Sequence, residues 1–160
     1  FVLGLFFNPF LILIALFIFL GAYGENQIVK QGDILKGHVV KEATLTNITR
    51  LQPSNNLQEV IDILLAGTEK DFVVIENEKI LGILTQKDII KHAKTPSVLV
   101  GDIMQRKFKT VDVTTEIIKV LQNIGKENIN FYPVVENGRL VGAIDTTNIS
   151  EFILLKTASK

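Results

Sequence analysis

Two copies of one pattern stand sixty residues apart, and that repeat limits what the chain can fold into more than any other feature. Gly82-Ile83-Leu84-Thr85-Gln86-Lys87-Asp88 returns as Gly142-Ala143-Ile144-Asp145-Thr146-Thr147-Asn148. The same shift lays Val60 on Val120, Val74 on Val134, Glu76-Asn77 on Glu136-Asn137 and Ile89 on Ile149 without a gap. Self-similarity at a fixed period means one supersecondary unit used more than once. A unit of about sixty residues struggles to bury an adequate core alone, so the two copies should pack face to face as one body.

Each copy predicts the same series of elements. In the first, Ser54-Asn55-Asn56 offers N-caps before Leu57, Val60, Ile61, Leu64 and Leu65, which recur at helical spacing, and Gly67 is placed to end that helix. Phe72-Val73-Val74-Ile75 and Ile80 to Leu84 are apolar strand-type runs around Glu76-Asn77-Glu78-Lys79, a hairpin signal. Ile89, Ile90 and Ala93 mark a second helix, with His92 near its end as a dipole partner. In the second copy Thr114 or Thr115 should cap the helix of Ile117, Val120, Leu121 and Ile124. Strands Tyr132 to Val135 and Arg139 to Ile144 then flank Asn137-Gly138, a favoured type I′ pair, and a helix runs from about Thr147 to Leu155. The expected class is α+β with internal pseudo-twofold symmetry, each unit being preceded by a short extended piece near Leu51 or Val111.

Composition narrows the function. With 17 basic and 17 acidic residues the chain carries no net charge and lacks the basic face that nucleic-acid binding usually needs. Cysteine is absent, which removes disulfides, thiolate metal sites and thiol nucleophiles together. Only two histidines occur, fifty-four positions apart: His38 reads as a surface or junction residue and His92 as the helix-dipole partner rather than a ligand. No nucleophile and base or phosphate-transfer loop can be assembled from the spacing, which disfavours a soluble enzyme.

Apolar residues concentrate in residues 1–23, which contain no ionisable side chain. As a helix this stretch would reach roughly 34 Å, enough to cross a hydrocarbon core of about 30 Å. The expectation is one transmembrane helix, the last of a membrane domain that begins upstream, since the chain starts on Phe1. A signal peptide is the alternative, but no basic leading region or small-residue cleavage site is evident. Asn8-Pro9 either caps the helix or kinks it. Lys30, Lys36 and Lys41 place the C-terminal side in the cytoplasm, so the expected location is the membrane with the repeats cytoplasmic. Residues 24–38 form a connector broken by Gly32 and Gly37, in which Ile28, Val29, Ile34 and Leu35 offer a short amphipathic helix.

The repeats resemble a tandem pair of cystathionine-β-synthase-type (CBS) domains, the arrangement called a Bateman module. The resemblance rests on Val100-Gly101-Asp102-Ile103-Met104, on Tyr132-Pro133-Val134-Val135 and on Gly82 to Asp88. It assigns 39–95 to a first CBS domain and 96–157 to a second, leaving 158–160 as a tail. At the lead-in to the first domain, Val40-Lys41-Glu42-Ala43-Thr44 departs from the family pattern.

The resemblance implies an adenosine nucleotide, AMP or ATP, in the cleft between paired domains, and homodimers formed through such pairs. Carried onto this sequence, it points to Gly82, Thr85 and Asp88, with Thr110, Tyr132 and Pro133 toward the base. Gly82 would let a ligand approach the backbone, Thr85 and nearby amides suit a phosphate, and the Asp88 carboxylate can accept both ribose hydroxyls. Thr85-x-x-Asp88 is equally a helix capping box worth about 1 kcal/mol without any ligand. In the second copy Asp145 puts a carboxylate where a phosphate would lie, a repulsion of roughly 4 kcal/mol at about 4 Å and an effective dielectric near 20. At most one competent site is expected, built around Asp88.

The apolar segment from Asn8 to Ala22, with Glu25 after it, is similar to the last membrane helix of site-2-protease-type zinc metalloproteases, some of which end in a CBS pair. The zinc site and its His-Glu-x-x-His helix would belong to the part upstream. This implies a regulatory module for intramembrane proteolysis. A module attached to a channel or transporter, or a dimerisation module without ligand, are the other expectations.

Overall fold

The computed structural model describes residues 10–18, 34–127 and 129–159. Residues 10–18 are helical. Among the described residues no helix is long and apolar enough to cross a membrane. Most of the transmembrane expectation over 1–23, the Asn8-Pro9 question and the greater part of the connector lie outside them.

The repeat unit is a three-stranded sheet with helices. In the first copy β1 (Arg50–Leu51) leads to α1 (Leu57–Ala66), β2 (Phe72–Glu76), β3 (Lys79–Leu84) and α2 (Gln86–His92). A short helix α3 (Val100–Ile103) then begins the second copy, followed by β4 (Val111–Asp112), α4 (Ile117–Glu127), β5 (Phe131–Glu136), β6 (Arg139–Asp145) and α5 (Thr146–Ala158). Strand order is β1-β2-β3 in one sheet and β4-β5-β6 in the other. The outer pairs are parallel and the hairpins antiparallel, each hairpin with an irregularity at the same place, Val74/Ile75 and Val134/Val135. The predicted class and its symmetry are those observed.

Local chemistry explains most boundaries. Asn56 caps α1 by accepting from the Glu59 amide, and Gly67 ends it. Both hairpin turns place two residues at positive φ: Asn77 at 50° and Glu78 at 64°, Asn137 at 52° and Gly138 at 77°. That is the type I′ geometry in which right-twisted strands meet. His92 ends α2, its Nδ1 lying 2.9 Å from the Asp88 carbonyl.

The start of α4 differs from expectation. Neither threonine caps it: Thr114 Oγ1 donates instead to Asp112 Oδ1 at 2.7 Å, and the helix begins at Ile117, whose amide donates to the His38 carbonyl at 3.0 Å. An early backbone group of the second copy is therefore satisfied by the segment that precedes the first copy.

That exchange is general. Val40 and Lys41 donate to the Thr115 and Val113 carbonyls, and Leu35 and Val40, both fully buried, sit in the second copy's core with Tyr132, Ile144, Ile149 and Phe152. In return, Val98 and Pro96 accept from Leu57 and Gln58, while Val100 and Met104 complete the first copy's core beside Phe72, Leu84 and Ile89. Each lead-in segment leaves its own sequence repeat and closes the other. Val73, Ile83, Phe131 and Ala143 form a third cluster between the sheets.

The crossing explains the glycine shared by both copies of the repeat. Leu45 exchanges two backbone hydrogen bonds with Ala143, at 2.9 and 3.0 Å, and Gln105 does the same with Ile83, at 2.8 and 3.1 Å. A Cβ on Gly82 would stand 2.7 Å from the Gln105 carbonyl oxygen, and one on Gly142 would run into the Leu45 carbonyl. Glycine is required because a backbone lies on top of it.

His38 sits at the junction with the connector. Its ring packs edge-on against Phe152 with centroids 5.1 Å apart, and its Nδ1 lies 2.9 Å from Glu42 Oε2, an acidic partner that the sequence reading had not given it. The Glu42 carboxyl is held below its ordinary pKa, chiefly by the Val39 amide that donates to it; burial opposes that shift, and His38 and then Lys156 add to it.

Candidate functional site

Face-to-face packing leaves two clefts related by the pseudo-twofold, of about 390 and 290 Å³. These are near the lower end of the range for small-molecule sites. The symmetry is legible in the linings: Ile83, Thr85, Gln105 and Phe108 of the first correspond to Ala143, Asp145, Leu45 and Ile48 of the second. Asp71 and Phe131, themselves sixty positions apart, line both. Each cleft is thus built from the end of one hairpin and the lead-in segment that crosses it.

In the first cleft Thr85 caps α2. Its Oγ1 accepts from the Asp88 amide at 3.3 Å, while Asp88 Oδ2 accepts from the Thr85 amide at 3.2 Å and from the Thr85 hydroxyl at 2.6 Å. A third donor reaches the same oxygen, Gln105 Nε2 at 2.8 Å. The capping box is therefore present in full, and it also tethers the crossing segment. Thr85, Gln86 and Lys87 line the cleft, with Lys107 and Asn130 opposite, whereas Asp88 is not among the lining residues. The room left by the missing side chain of Gly82 is taken by Gln105 and Met104 of the chain itself.

Asp71 is the residue that sequence reasoning missed. Partly buried just ahead of β2, it accepts the Gln86 amide on Oδ1 at 2.9 Å. Burial pushes its pKa up. The Gln86 amide opposes that shift, the negative charges of Asp145 and Asp88 add to it, and Lys70 offsets it slightly. The available signal was the shift of sixty, which sets a carboxylate at 71 against Phe131 of an apolar strand.

The second cleft is acidic. Asp145 caps α5, with Oδ1 accepting from the Asn148 amide at 2.8 Å and the Asn148 Oδ1 accepting from the Asp145 amide at 3.1 Å. Glu69, Asp71, Asp145 and Glu151 line it against one cation, Lys70. The expected departure of this copy is physically present as a carboxylate in the cavity wall.

Like Gly82 and Asp88, the other three predicted residues are outside both cavity linings. Thr110 is exposed, and neighbouring Lys109 is held by Glu127 at 2.6 Å. Tyr132 is buried in the second core, its hydroxyl without a hydrogen-bond partner among the described residues and its pKa pushed up by burial and then by Glu127. Strand alternation sends Phe131 toward the clefts and Tyr132 away from them. Pro133 is buried in β5, paired with Ala143. Among the described residues no group of three or more His, Asp or Glu is arranged to hold a metal.

Comparison with known proteins follows this geometry. The family model described as the CBS domain matches twice, over residues 40–95 and 100–155. A zinc metalloprotease of Methanocaldococcus jannaschii is 30% identical over 142 residues, 89% of this chain and 40% of the relative. A homoserine O-acetyltransferase of Methanosphaera stadtmanae is 25% identical over 134 residues, 82% of this chain and 27% of that protein. The chain therefore spans well under half the length of either. Among solved structures, the CBS domain pair of protein MJ0100 in complex with 5′-methylthioadenosine and S-adenosyl-L-methionine superposes with TM-score 0.67 at 24% identity, covering 76% of this chain and 98% of that one. CBSX2 in complex with AMP gives 0.68 at 19% identity, covering 76% and 99%. With two exchanged helix–strand–strand–helix units, a glycine under each crossing and both copies matched by the family model, this chain belongs to the CBS-domain family as a tandem pair.

Proposed function

We propose that the chain is the regulatory part of a membrane-embedded zinc metalloprotease and senses an adenosine-type ligand, AMP or ATP among them, in the cleft lined by Thr85. The observation that carries the first half is the reach of the metalloprotease likeness. It covers 142 residues, more than residues 40–155 and the tail together hold, so it takes in part of the segment ahead of residue 40. Zinc and its ligands belong to the parent, and the CBS pair lies on the cytoplasmic side in this reading. The second half is supported by the structural neighbours that bind adenosine compounds and by the polar lining of the first cleft, where Thr85, Lys87, Lys107 and Asn130 meet Ile83 and Phe108. Regulation then requires that ligand favour one arrangement of the two units over another.

Titration calorimetry of the 160-residue chain in detergent with adenosine, AMP and ATP tests the sensing. Saturable binding weakened by Thr85→Ala is expected, and absence of saturable binding for all three compounds refutes it. A second reading, assembly without ligand, is favoured by the use of Asp88 Oδ2 as a capping and tethering acceptor and by exposed apolar side chains at Leu65, Ile90, Leu154 and Leu155. It predicts homodimers whose mass by light scattering is the same with and without nucleotide.

A further inference from the structure

Asp71 is a wall of both clefts, so one carboxylate faces whatever enters either of them. Its Oδ1 is fixed on the Gln86 amide at 2.9 Å, which anchors the group where it is. The charges around it are mostly of its own sign: Asp88 from α2 and Asp145 from the end of β6, with Lys70 as its neighbour in sequence. Farther round the linings stand Lys87 and Lys107 in the first cleft, and Glu69 and Glu151 in the second. An anionic group placed in either cleft meets Asp71 across the cavity, and a like charge raises the free energy of the ionised carboxylate.

We propose that Asp71 is the specificity-determining residue of both clefts: it disfavours phosphate-bearing ligands relative to their uncharged nucleosides and makes binding of the former take up a proton. The inference rests on the reading of the clefts as nucleoside sites. Burial already shifts the carboxyl toward its protonated form in the free protein, and an incoming phosphate shifts it further in the same direction. Phosphate-bearing ligands therefore bind more weakly as pH rises through that range, whereas a neutral nucleoside does not sense the charge. Because the wall is shared, an anion in one cleft also alters the charge that the other presents.

The test measures adenosine and AMP binding to the wild-type chain and to Asp71→Asn at about pH 5.5 and about pH 7.5. The asparagine keeps an acceptor for the Gln86 amide, and a thermal melt no lower than wild type verifies that the variant is folded. At the higher pH Asp71→Asn should bind AMP roughly tenfold more tightly than wild type, the effect of about one pKa unit of like-charge interaction. The gain should shrink at the lower pH, while adenosine affinity stays within about twofold, since a neutral ligand carries no such term. The second ionisation of the ligand phosphate near pH 6 lowers the charge that meets Asp71 at the lower pH, which shrinks the gain in the same direction. Adenosine binding to both proteins with an AMP ratio near one at both pH values overturns the role of Asp71 and leaves the nucleoside reading standing. Absence of saturable binding of both adenosine and AMP to both proteins overturns that reading and this inference with it.

Discussion

Replacing Gly142 by alanine measures how tightly the exchanged segment is seated. The new methyl would run into the Leu45 carbonyl oxygen and stand 2.5 Å from Thr44 Cγ2 and 3.1 Å from the Leu45 carbonyl carbon. Comfortable carbon contacts are about 3.5–4.0 Å, so residues 44 and 45 must retreat by about 1 Å. Both hydrogen bonds of the Leu45–Ala143 pair, now 2.9 and 3.0 Å, would then pass the distance at which such a bond is made. Each contributes about 1 kcal/mol net and more when its groups stay buried and unpaired, so the loss should be about 2–4 kcal/mol. Backbone strain adds nothing, because Gly142 is not at positive φ.

Two companion variants separate this mechanism from a general effect of alanine. Gly82→Ala meets the Gln105 carbonyl oxygen at 2.7 Å and the flexible Met104 Sδ at 3.0 Å, a milder clash that should cost about 1–2 kcal/mol. Gly125→Ala, within α4 and with nothing inside 4 Å, should stabilise by about 0.5–1 kcal/mol. Urea unfolding gives the three values, and thermal melting should show Gly142→Ala lower by roughly 4–16 °C at about 2–4 °C per kcal/mol. The reasoning fails if Gly142→Ala lies within about 0.5 kcal/mol of wild type, the usual scatter of a neutral surface change, or if Gly82→Ala is the more damaging.

Other consequences follow from the same geometry. Leu35→Ala empties a fully buried position of the second core and should cost about 2–4 kcal/mol by denaturant unfolding, although residue 35 precedes the first repeat in sequence. Thr85→Ala removes the hydroxyl that accepts the Asp88 amide and should cost about 1 kcal/mol even without ligand, read by the same unfolding. Glu78→Gly relieves a positive φ of 64° and should stabilise by about 0.5–1 kcal/mol. Asp71 has a folded pKa above its ordinary 3.8, so the folded state binds more protons there. Its contribution to stability therefore falls as pH rises from 3.8 through the folded value, and Asp71→Asn should flatten that segment of the stability–pH curve.

Local chemistry was readable from sequence. The shift of sixty revealed the two units, Asn56 and Gly67 bounded α1, Thr85 announced a capping box, and Asn137-Gly138 marked its turn. What sequence alone did not reveal depends on long-range placement. Nothing local says that His38 serves the first amide of α4, since the two are far apart along the chain. The same blindness assigned Gly82 to an approaching ligand when the Gln105 carbonyl already lies there. Strand phase explains Tyr132: an aromatic pair at 131 and 132 must send one ring each way, and only the packed sheet decides which one meets the clefts. Asp71 was hidden because its significance comes from Gln86, Asp88 and Asp145 converging on it in space.

The exchange of lead-in segments also bears on ancestry. A single sixty-residue copy, standing alone, would have a bare glycine groove on its hairpin and a lead-in segment reaching past its own body. Two identical copies would cure both defects by laying each lead-in across the other's glycine, as Leu45 on Ala143 and Gln105 on Ile83 do within this chain. Seen this way, the tandem chain is an intertwined dimer whose partners have been joined end to end. Joined in this way, the two halves differ in their clefts, one lined by Lys87 and Lys107 and the other by an acidic wall, while each unit keeps the partner segment that closes it.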